Sequence, residues 1–555
     1  MKLHLKRIYT AFFFGLFFLI APFLILFANG YRFDRFHKIF IHSGSLVIKS
    51  TPRKVDIYLD NRRVKNKKLN FINNYHVING IKPGWHTIRC QKDGYTTWEK
   101  RVDIHSGIST EFWNVVLVPK PNKTLHSLTP RNVKHFFLSP RNDFELVLHQ
   151  QTNQEEKLSL YNSKKEIITN LLTVSGATHI TPETDENVEW SSNHQKLLIP
   201  LQRNGEKDYA LIKINKKNTA NTTSPIFLSN VLQKVNQKLL NDKTISSHQP
   251  VKNSTETKST INLSASNTSQ QTLTKQPMEN KSDTVTTKKE NPTRLKYARW
   301  VFGDDQKIAV LTQNNNLLLI NIEKPEKSYL IDNQVLGFDF SGNHLYYLRT
   351  HDHFLLDVQI DHPEKKKIVS VLPVYFQQLR KMTAYDEYRL AFLDDNQQLF
   401  ILNNDPEHQE NFFGKIADRA KDFQFSDDGK KILFWNNNEI FVYFLREWKV
   451  QPKRSKGDKI LVTRFSSSIN NVQWMQNFEN VIFTKSNLIK MAEIDNRDRI
   501  NLVDIFQAEH SLPEKSCLYD KKTFILYFLD PRREQIQAIN LHPEENILNK
   551  LLYYR

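Results

Sequence analysis

Apolar and polar positions alternate over short stretches through most of this chain. "FQFSDDGKKILFWNNNEIFVYF", from Phe423 to Phe444, shows the pattern: an apolar stretch, the polar knot Ser426-Asp427-Asp428-Gly429, a hydrophobic run, the polar triplet Asn436-Asn437-Asn438, and a second run. Strict alternation bounded by turn residues predicts half-buried strands joined by tight turns. Seven further stretches share the form, starting at Val133, Val188, Ala298, Val335, Lys381, Val472 and Cys517. From Ala298 onward they recur about every 40–45 residues, the period of a four-stranded propeller blade. Each unit alone would expose an apolar face; packing units around an axis buries it and protects the sheet edges. The expectation is a β-propeller of seven or eight blades, with its first blades in 121–215 and the rest in 295–555.

Three other patterns interrupt this one. Ile8 to Gly30 is uncharged and dominated by Phe, Leu and Ile. About 20 such residues at 1.5 Å rise span the roughly 30 Å of bilayer hydrocarbon, whereas a cleavable signal has a shorter apolar core of about 7–15. The reading is an uncleaved transmembrane signal anchor at 8–30 behind a short basic cytoplasmic tail at 1–7, with the bulk of the chain extracytoplasmic. The small residues Ala28-Asn29-Gly30 leave cleavage before Tyr31 as the second reading. From 43 to 120, short alternating runs such as "KVDIYLDN" predict a small antiparallel β-sandwich. From 216 to 294, Ser, Thr, Asn and Lys dominate and aromatics are nearly absent; such a segment buries too little apolar surface to offset chain entropy and is expected to be a disordered insert. Ile226 to Leu240 within it is amphipathic enough for a helix. The fold class is thus mainly β.

Composition sharpens this picture in two places. The chain has 78 Lys+Arg against 59 Asp+Glu, net +19, which favours anionic surroundings. Only 15 glycines serve 555 residues, so asparagine is expected to take left-handed turn positions in their place. The two cysteines, Cys90 and Cys517, fall in different predicted domains, which excludes a disulfide framework.

The stretch "GSLVIKSTPRKVDIYLDNRRV", followed by "IKPGWHTIRCQKDGYTTWEKRVDI", resembles the PEGA domain, a small β-module of bacterial envelope and surface-layer proteins. The resemblance lies in Ser50 and Pro52, Tyr58-Leu59-Asp60, Pro83-Gly84 with His86-Thr87-Ile88, and Gly94-Tyr95 before Trp98. It departs at the signature turn, which reads Pro52-Arg53-Lys54-Val55. The resemblance implies an extracytoplasmic spacer or binding module without catalytic residues. "FSDDGKKILFW" in turn is similar to TolB-like and Trp-Asp-repeat propeller units, although the regular Trp-Asp dipeptide is absent.

Chemistry-bearing motifs are not found: no nucleophile elbow, phosphate loop, zincin pair or paired Cys-x-x-Cys. No catalytic, cofactor-binding or metal residue is assigned, and the ligand-binding residues are unknown at this stage. The aspartate pairs Asp304-Asp305, Asp394-Asp395 and Asp427-Asp428 read as equivalent hairpin turns in different units. His351 and His353 would share a face on a strand, but with no third ligand they read as turn residues. Basic runs at 61–68, 362–368 and 451–460 read as solvated surface, or as contacts for anionic polymer or lipid headgroups. The functional expectation is a membrane-anchored, non-enzymatic binding or scaffolding protein of the bacterial envelope. Its partners would be membrane lipid, through the N-terminal helix, and an envelope protein or anionic wall polymer; nucleic acid is not expected. Alternatives are an envelope hydrolase built on the propeller and a sensor facing the cytoplasm.

Overall fold

The computed structural model describes residues 2–34, 38–64, 75–120, 125–141, 143–181, 188–214, 224–246, 294–405 and 412–542. The first element is helix α1, Lys2–Ala28, whose apolar part Tyr9–Ala28 is long enough to cross a membrane and is not buried in the chain. It stops where the Asn29 side chain donates to the Ile25 carbonyl (3.0 Å) and Gly30 adopts φ +84°, a left-handed residue that ends a helix without a Cβ clash.

The sandwich follows. One sheet holds Tyr75–Ile81, Gly44–Thr51 and Ser109–Val116; the other holds Arg62–Arg63, Asp56–Leu59, Gly84–Gln91 and Trp98–Ile104. The alternation read from the sequence is realised: Leu46, Ile48, Ile57, Ile88, Cys90 and Ile104 are fully buried in a common core. The expected antiparallel arrangement needs one correction. Gly44–Thr51 and Ser109–Val116, the first and last strands of the module, pair in parallel. A parallel pair needs a long crossover, and the intervening strands of the second sheet supply it.

The remainder is eight antiparallel sheets, seven of four strands and one, counted second below, of five, in which Thr178–Ile180 and Glu189–Trp190 both pair with Lys196–Arg203. The inner strands are Val133–Leu138, Glu189–Trp190, Leu295–Trp300, Val335–Ser341, Leu379–Ala384, Asp422–Phe425, Ile469–Trp474 and Cys517–Asp520, counted below as sheets one to eight. Sheet eight takes its outer strand from Leu125–Ser127, with Leu125 opposite Ile539, so the two ends of this region are stitched together. Eight apolar clusters each join one sheet to the next, and the last links sheet eight to sheet one through Tyr527 and Leu529 against Phe136 and Leu148. The sheets therefore close as a ring: this is a β-propeller.

The boundary expected at 215/216 moves. Ile226–Phe227 is the outer strand of sheet two, and helix α2, Leu228–Ser246, follows directly. Leu228, Val231, Leu232 and Val235 recur at helical spacing and are buried between sheets two and three. Ser229 starts the helix by bonding Asp208, whose carboxylate accepts from its N–H (2.9 Å) and hydroxyl (2.6 Å). The disorder expected for the rest of 216–294 falls on residues outside those described.

Asparagine replaces glycine at turns only in part. Asn61, Asn132, Asn204, Asn315 and Asn471 are left-handed, but so are Lys54, Phe144, His194, Gln397 and Glu534.

Candidate functional site

Because neighbouring strands are antiparallel, each sheet places its inner–second turn and its third–outer turn on one rim of the ring. The second–third turns lie on the opposite rim. We call these the near rim and the far rim.

The near-rim turns answer the question of the paired aspartates. In sheet six, Ser426 Oγ accepts the Lys431 N–H (3.0 Å) and lies 2.5 Å from Asp428 Oδ1, which also accepts the Lys430 N–H; Gly429 is left-handed. In sheet two the same turn is built from Ser191, Asn193 and left-handed His194, with Ser191 Oγ accepting the Lys196 N–H (3.0 Å). In sheet seven Asn477 accepts the Glu479 and Asn480 N–H groups and Phe478 is left-handed. A short acceptor in the middle of the turn satisfies backbone donors, which is structural chemistry. One expected equivalence fails. Asp304-Asp305 and Asp427-Asp428 are near-rim turns, but Asp394-Asp395 joins the second and third strands of sheet five and lies on the far rim, as do Asn314-Asn315-Asn316 in sheet three and Asn436-Asn437-Asn438 in sheet six. His351 and His353 sit in a second–third turn of sheet four rather than on a strand; His353 is left-handed and its ring meets Tyr375 at a tilt, centroids 5.0 Å apart. Among the described residues no group of three His, Cys, Asp or Glu is placed to hold a metal.

In sheets two, five and six the cation opening the second strand ties the near-rim turn to the next sheet. Lys196 Nζ donates to the Asp305 carbonyl (2.9 Å), Arg389 donates to the Gly429 carbonyl, and Lys431 pairs with Glu479 while lying 3.8 Å over the Trp448 ring. In the ring interior Arg299 bridges Glu189 (2.8 Å) and Asp339, linking the inner strands of sheets two, three and four. The two carboxylates converge as catalytic acids would, yet both are spent on the guanidinium, and the Asp339 partner together with Glu189 holds Arg299 above the ordinary arginine range.

The sandwich docks on the near rim, on the third–outer turns of sheets six and seven. Lys100 is fully buried and pairs with Glu493 (2.7 Å). Its ammonium also donates to the carbonyls of Asp495 (2.7 Å), Arg497 (2.9 Å) and Arg499 (2.7 Å). Trp98 Nε1 donates to the other Glu493 oxygen (2.9 Å). Gln451 exchanges two bonds with the edge strand, accepting from Glu111 N–H (3.0 Å) and donating to the Ser109 carbonyl (2.8 Å). Arg497 lies 4.0 Å over the Phe112 ring and donates to the Glu111 carbonyl. Burial pushes the Glu493 carboxyl up, against the pull of Lys100. At Asp495 burial is outweighed by Arg497 and Lys100, which hold the carboxyl below its usual 3.8.

This docking encloses a cleft of about 320 Å³ between the two modules. Lys49, Trp113 and Asn114 line it from the sandwich, and Asn477, Phe478 and Phe524 from sheets seven and eight. Aromatic faces interleaved with amides and a cation suit a polar chain that carries both apolar ring faces and anionic or amide groups. Asp427 reaches the same cleft, engaged by Lys521 (2.9 Å). Apart from Asp427, none of these residues stood out in the sequence. Their positions come from strands of the sandwich and turns of the propeller more than 350 residues apart in the chain, and no local motif encodes that meeting. Cys90 and Cys517 are buried and unbonded to each other, and burial pushes the Cys90 thiol up to about 12.

No family model matches the chain, and no curated protein matches it. Solved structures similar to it are propellers. The β-propeller domain of Cps50 (Swd1) from Myceliophteria thermophila is 10% identical, covering 75% of this chain and 99% of that one, at a TM-score of 0.38. Sqt1 of Saccharomyces cerevisiae is 8% identical over 75% and 97% of the two chains, at 0.41. The Dos1 propeller is 9% identical over 76% and 95%, at 0.43. At these scores the propeller assignment stands on the strand pairing and the shared cores described above.

Proposed function

We propose that this chain is a single-pass membrane protein of the bacterial cell envelope, with a PEGA-like sandwich and an eight-bladed propeller held outside the cytoplasm to bind an envelope protein or an anionic wall polymer. Helix α1 is its signal anchor. The propeller acts as a scaffold, and the cleft between sandwich and propeller is where the polymer or partner chain sits. The observation that carries this reading is the docking itself. Lys100 buried on Glu493 and three carbonyls makes the sandwich a rigid mount for the propeller, and the mount creates a cleft that neither module has alone. The eight sheets and their eight shared cores support the blade number. The net +19 suits an anionic partner. The engagement of Glu189 and Asp339 by Arg299 favours a binder over the hydrolase alternative.

The test places a photo-crosslinking residue at Trp113 in the full-length chain, in intact cells. Adducts with wall polymer or an envelope protein, lost when Phe478 and Phe524 are both changed to Ser, are the expected result. Adducts confined to cytoplasmic proteins would overturn both the location and the role.

A further inference from the structure

Between α1 and the sandwich the chain forms a small hairpin, Tyr31–Asp34 paired with Ile39–His42. Its register sets Phe33 directly opposite Phe40 and Tyr31 opposite His42, so these four rings share one face of the ribbon. Phe33 and Phe40 meet edge to face with centroids 5.2 Å apart, and Tyr31 stacks on His42 at 4.8 Å. Phe33 is 53% exposed, Ile39 54% and Phe40 42%. Three large apolar side chains left open on two paired strands of four residues each are more than scattered surface residues.

The direction of the hairpin says what covers them. Left-handed Gly30 turns the chain back on the helix. Arg32 then donates to the Phe27 carbonyl (2.9 Å) and lies 3.8 Å over the Phe27 ring, while Phe40 contacts Phe23 with centroids 6.0 Å apart. Phe23 lies five residues inside the helix end, about 7 Å along its axis at 1.5 Å per residue. The hairpin therefore runs back beside the apolar helix, and its rings stand level with a residue inside the apolar stretch. Its base is fixed to the sandwich: Ser43 N–H donates to the Gly30 carbonyl (3.0 Å) and Ser106 Oγ to the His42 carbonyl (2.9 Å). The Gly107 backbone approaches the His42 ring so closely that a Cβ there would lie 2.4 Å from it.

We propose that this hairpin is a second lipid contact, with Phe33, Ile39 and Phe40 seated among the headgroups and upper acyl chains beside α1. The proposal rests on the reading of α1 as a membrane anchor, and continuity with that helix is what names lipid as the occupant. Apolar side chains at a depth of about 5–10 Å, aromatic ones especially, are what the bilayer interface takes. Exposed Lys38, next to Ile39, is placed for a headgroup phosphate. Because the hairpin base is bonded to the sandwich, seating it holds the sandwich at a fixed height and tilt on the membrane. A single helix alone would let it swing.

The two native cysteines are buried, so a cysteine introduced at the surface takes an environment-sensitive fluorophore selectively. Phe40→Cys, Ile39→Cys and Phe17→Cys are labelled separately in the full chain, reconstituted in phosphatidylcholine–phosphatidylglycerol vesicles containing lipids with quenchers at shallow or deep acyl positions. The expected result is loss of fluorescence at position 17 with the deep quencher, and at 39 and 40 with the shallow one. Quenching at 17 while 39 and 40 respond only to aqueous iodide would overturn the hairpin contact and leave the anchor standing. Shielding of 39 and 40 from both iodide and lipid would mark a protein partner and overturn it equally. No lipid quenching at 17 would overturn the anchor and the hairpin contact together. Using two hairpin positions guards against a local misfold at either one.

Discussion

Among the described residues two lysines are fully buried, each against a glutamate of the propeller, and they do different work. Lys431 belongs to the ring. It opens the second strand of sheet six and pairs with Glu479 of sheet seven. Lys100 belongs to the sandwich, and it pairs with Glu493 across a boundary between modules. Burial pushes both glutamates up. Lys431 is one of a series, since Lys196 and Arg389 make the corresponding link between other sheets. Lys100 has no counterpart among those links, and four oxygens converge on it: three carbonyls and a carboxylate. A clamp repeated at three sheet boundaries shares its load; a junction pair stands alone. The sharpest contrast should therefore come from removing each cation in turn.

Lys100→Met is expected to have the largest effect. It leaves the Glu493 carboxylate buried and unpaired, and loss of one partner of a buried pair costs about 3–5 kcal/mol. The measurement is limited proteolysis together with thermal unfolding of the full chain in detergent. The sandwich should be released as a separately cleaved unit while the propeller transition is kept. The double variant Lys100→Met, Glu493→Leu should recover part of the loss, because the stranded charge is gone. If Lys100→Met left cleavage between the modules unchanged, the rigid mount would be refuted.

Lys431→Met comes next, at about 3 kcal/mol by the same reasoning. Here the whole propeller transition should fall and the junction should remain intact, because the bonds from Lys100 lie on different turns. Selective release of the sandwich by this variant would show that the two clusters are coupled.

Acid tests the junction more gently. Burial raises the Asp495 carboxyl, but Arg497 and Lys100 outweigh it and the folded-state value lies below 3.8. A depressed carboxylate contributes stability that is present above its unfolded value and lost as pH falls through the folded one. The contribution of Asp495 to docking should thus be constant at mildly acid pH and disappear only below 3.8. A proteolysis profile that changed well above 3.8 would point instead to Glu493, whose carboxyl burial pushes up.

The difference between the two lysines is also a difference in what the sequence could tell. The strand–turn–strand repeat was legible because burial of one face forces alternation, and the turn residues Ser426, Asp428 and Gly429 do local work wherever the unit recurs. Lys431 was legible in principle from its fixed offset after that turn, as "NHQK" in sheet two and "DEYR" in sheet five show. Lys100, Gln451 and the cleft residues were not legible. Their roles depend on which face of the sandwich meets which turns of the ring, and that is set by contacts spread over hundreds of residues. For the same reason Ile226–Phe227 and α2 were assigned to the insert: the local composition is polar, and only the gap between sheets two and three shows where Leu228, Val231 and Leu232 are buried. Asp394-Asp395 was placed on the wrong rim because an aspartate turn looks alike at either end of a strand.

The smallest expected effect separates turn chemistry from ligand chemistry. Asp428 accepts two bonds within its turn, whereas the Asp427 side chain is exposed and engages Lys521 at the edge of the cleft. Asp428→Ala should therefore cost about 1 kcal/mol, the worth of a lost turn bond. Asp427→Asn should change stability by less than about 0.5 kcal/mol, as exposed pairs usually do. Neutralising Asp427 also frees Lys521 within reach of anything bound between Trp113 and Phe478. If the cleft takes an anionic polymer, the Asp427→Asn chain should crosslink to it more efficiently from position 113 at unchanged melting temperature. A variant that lost crosslinking while staying folded would instead place a cationic group of the ligand against Asp427, and the wall-polymer reading would give way to a basic protein partner.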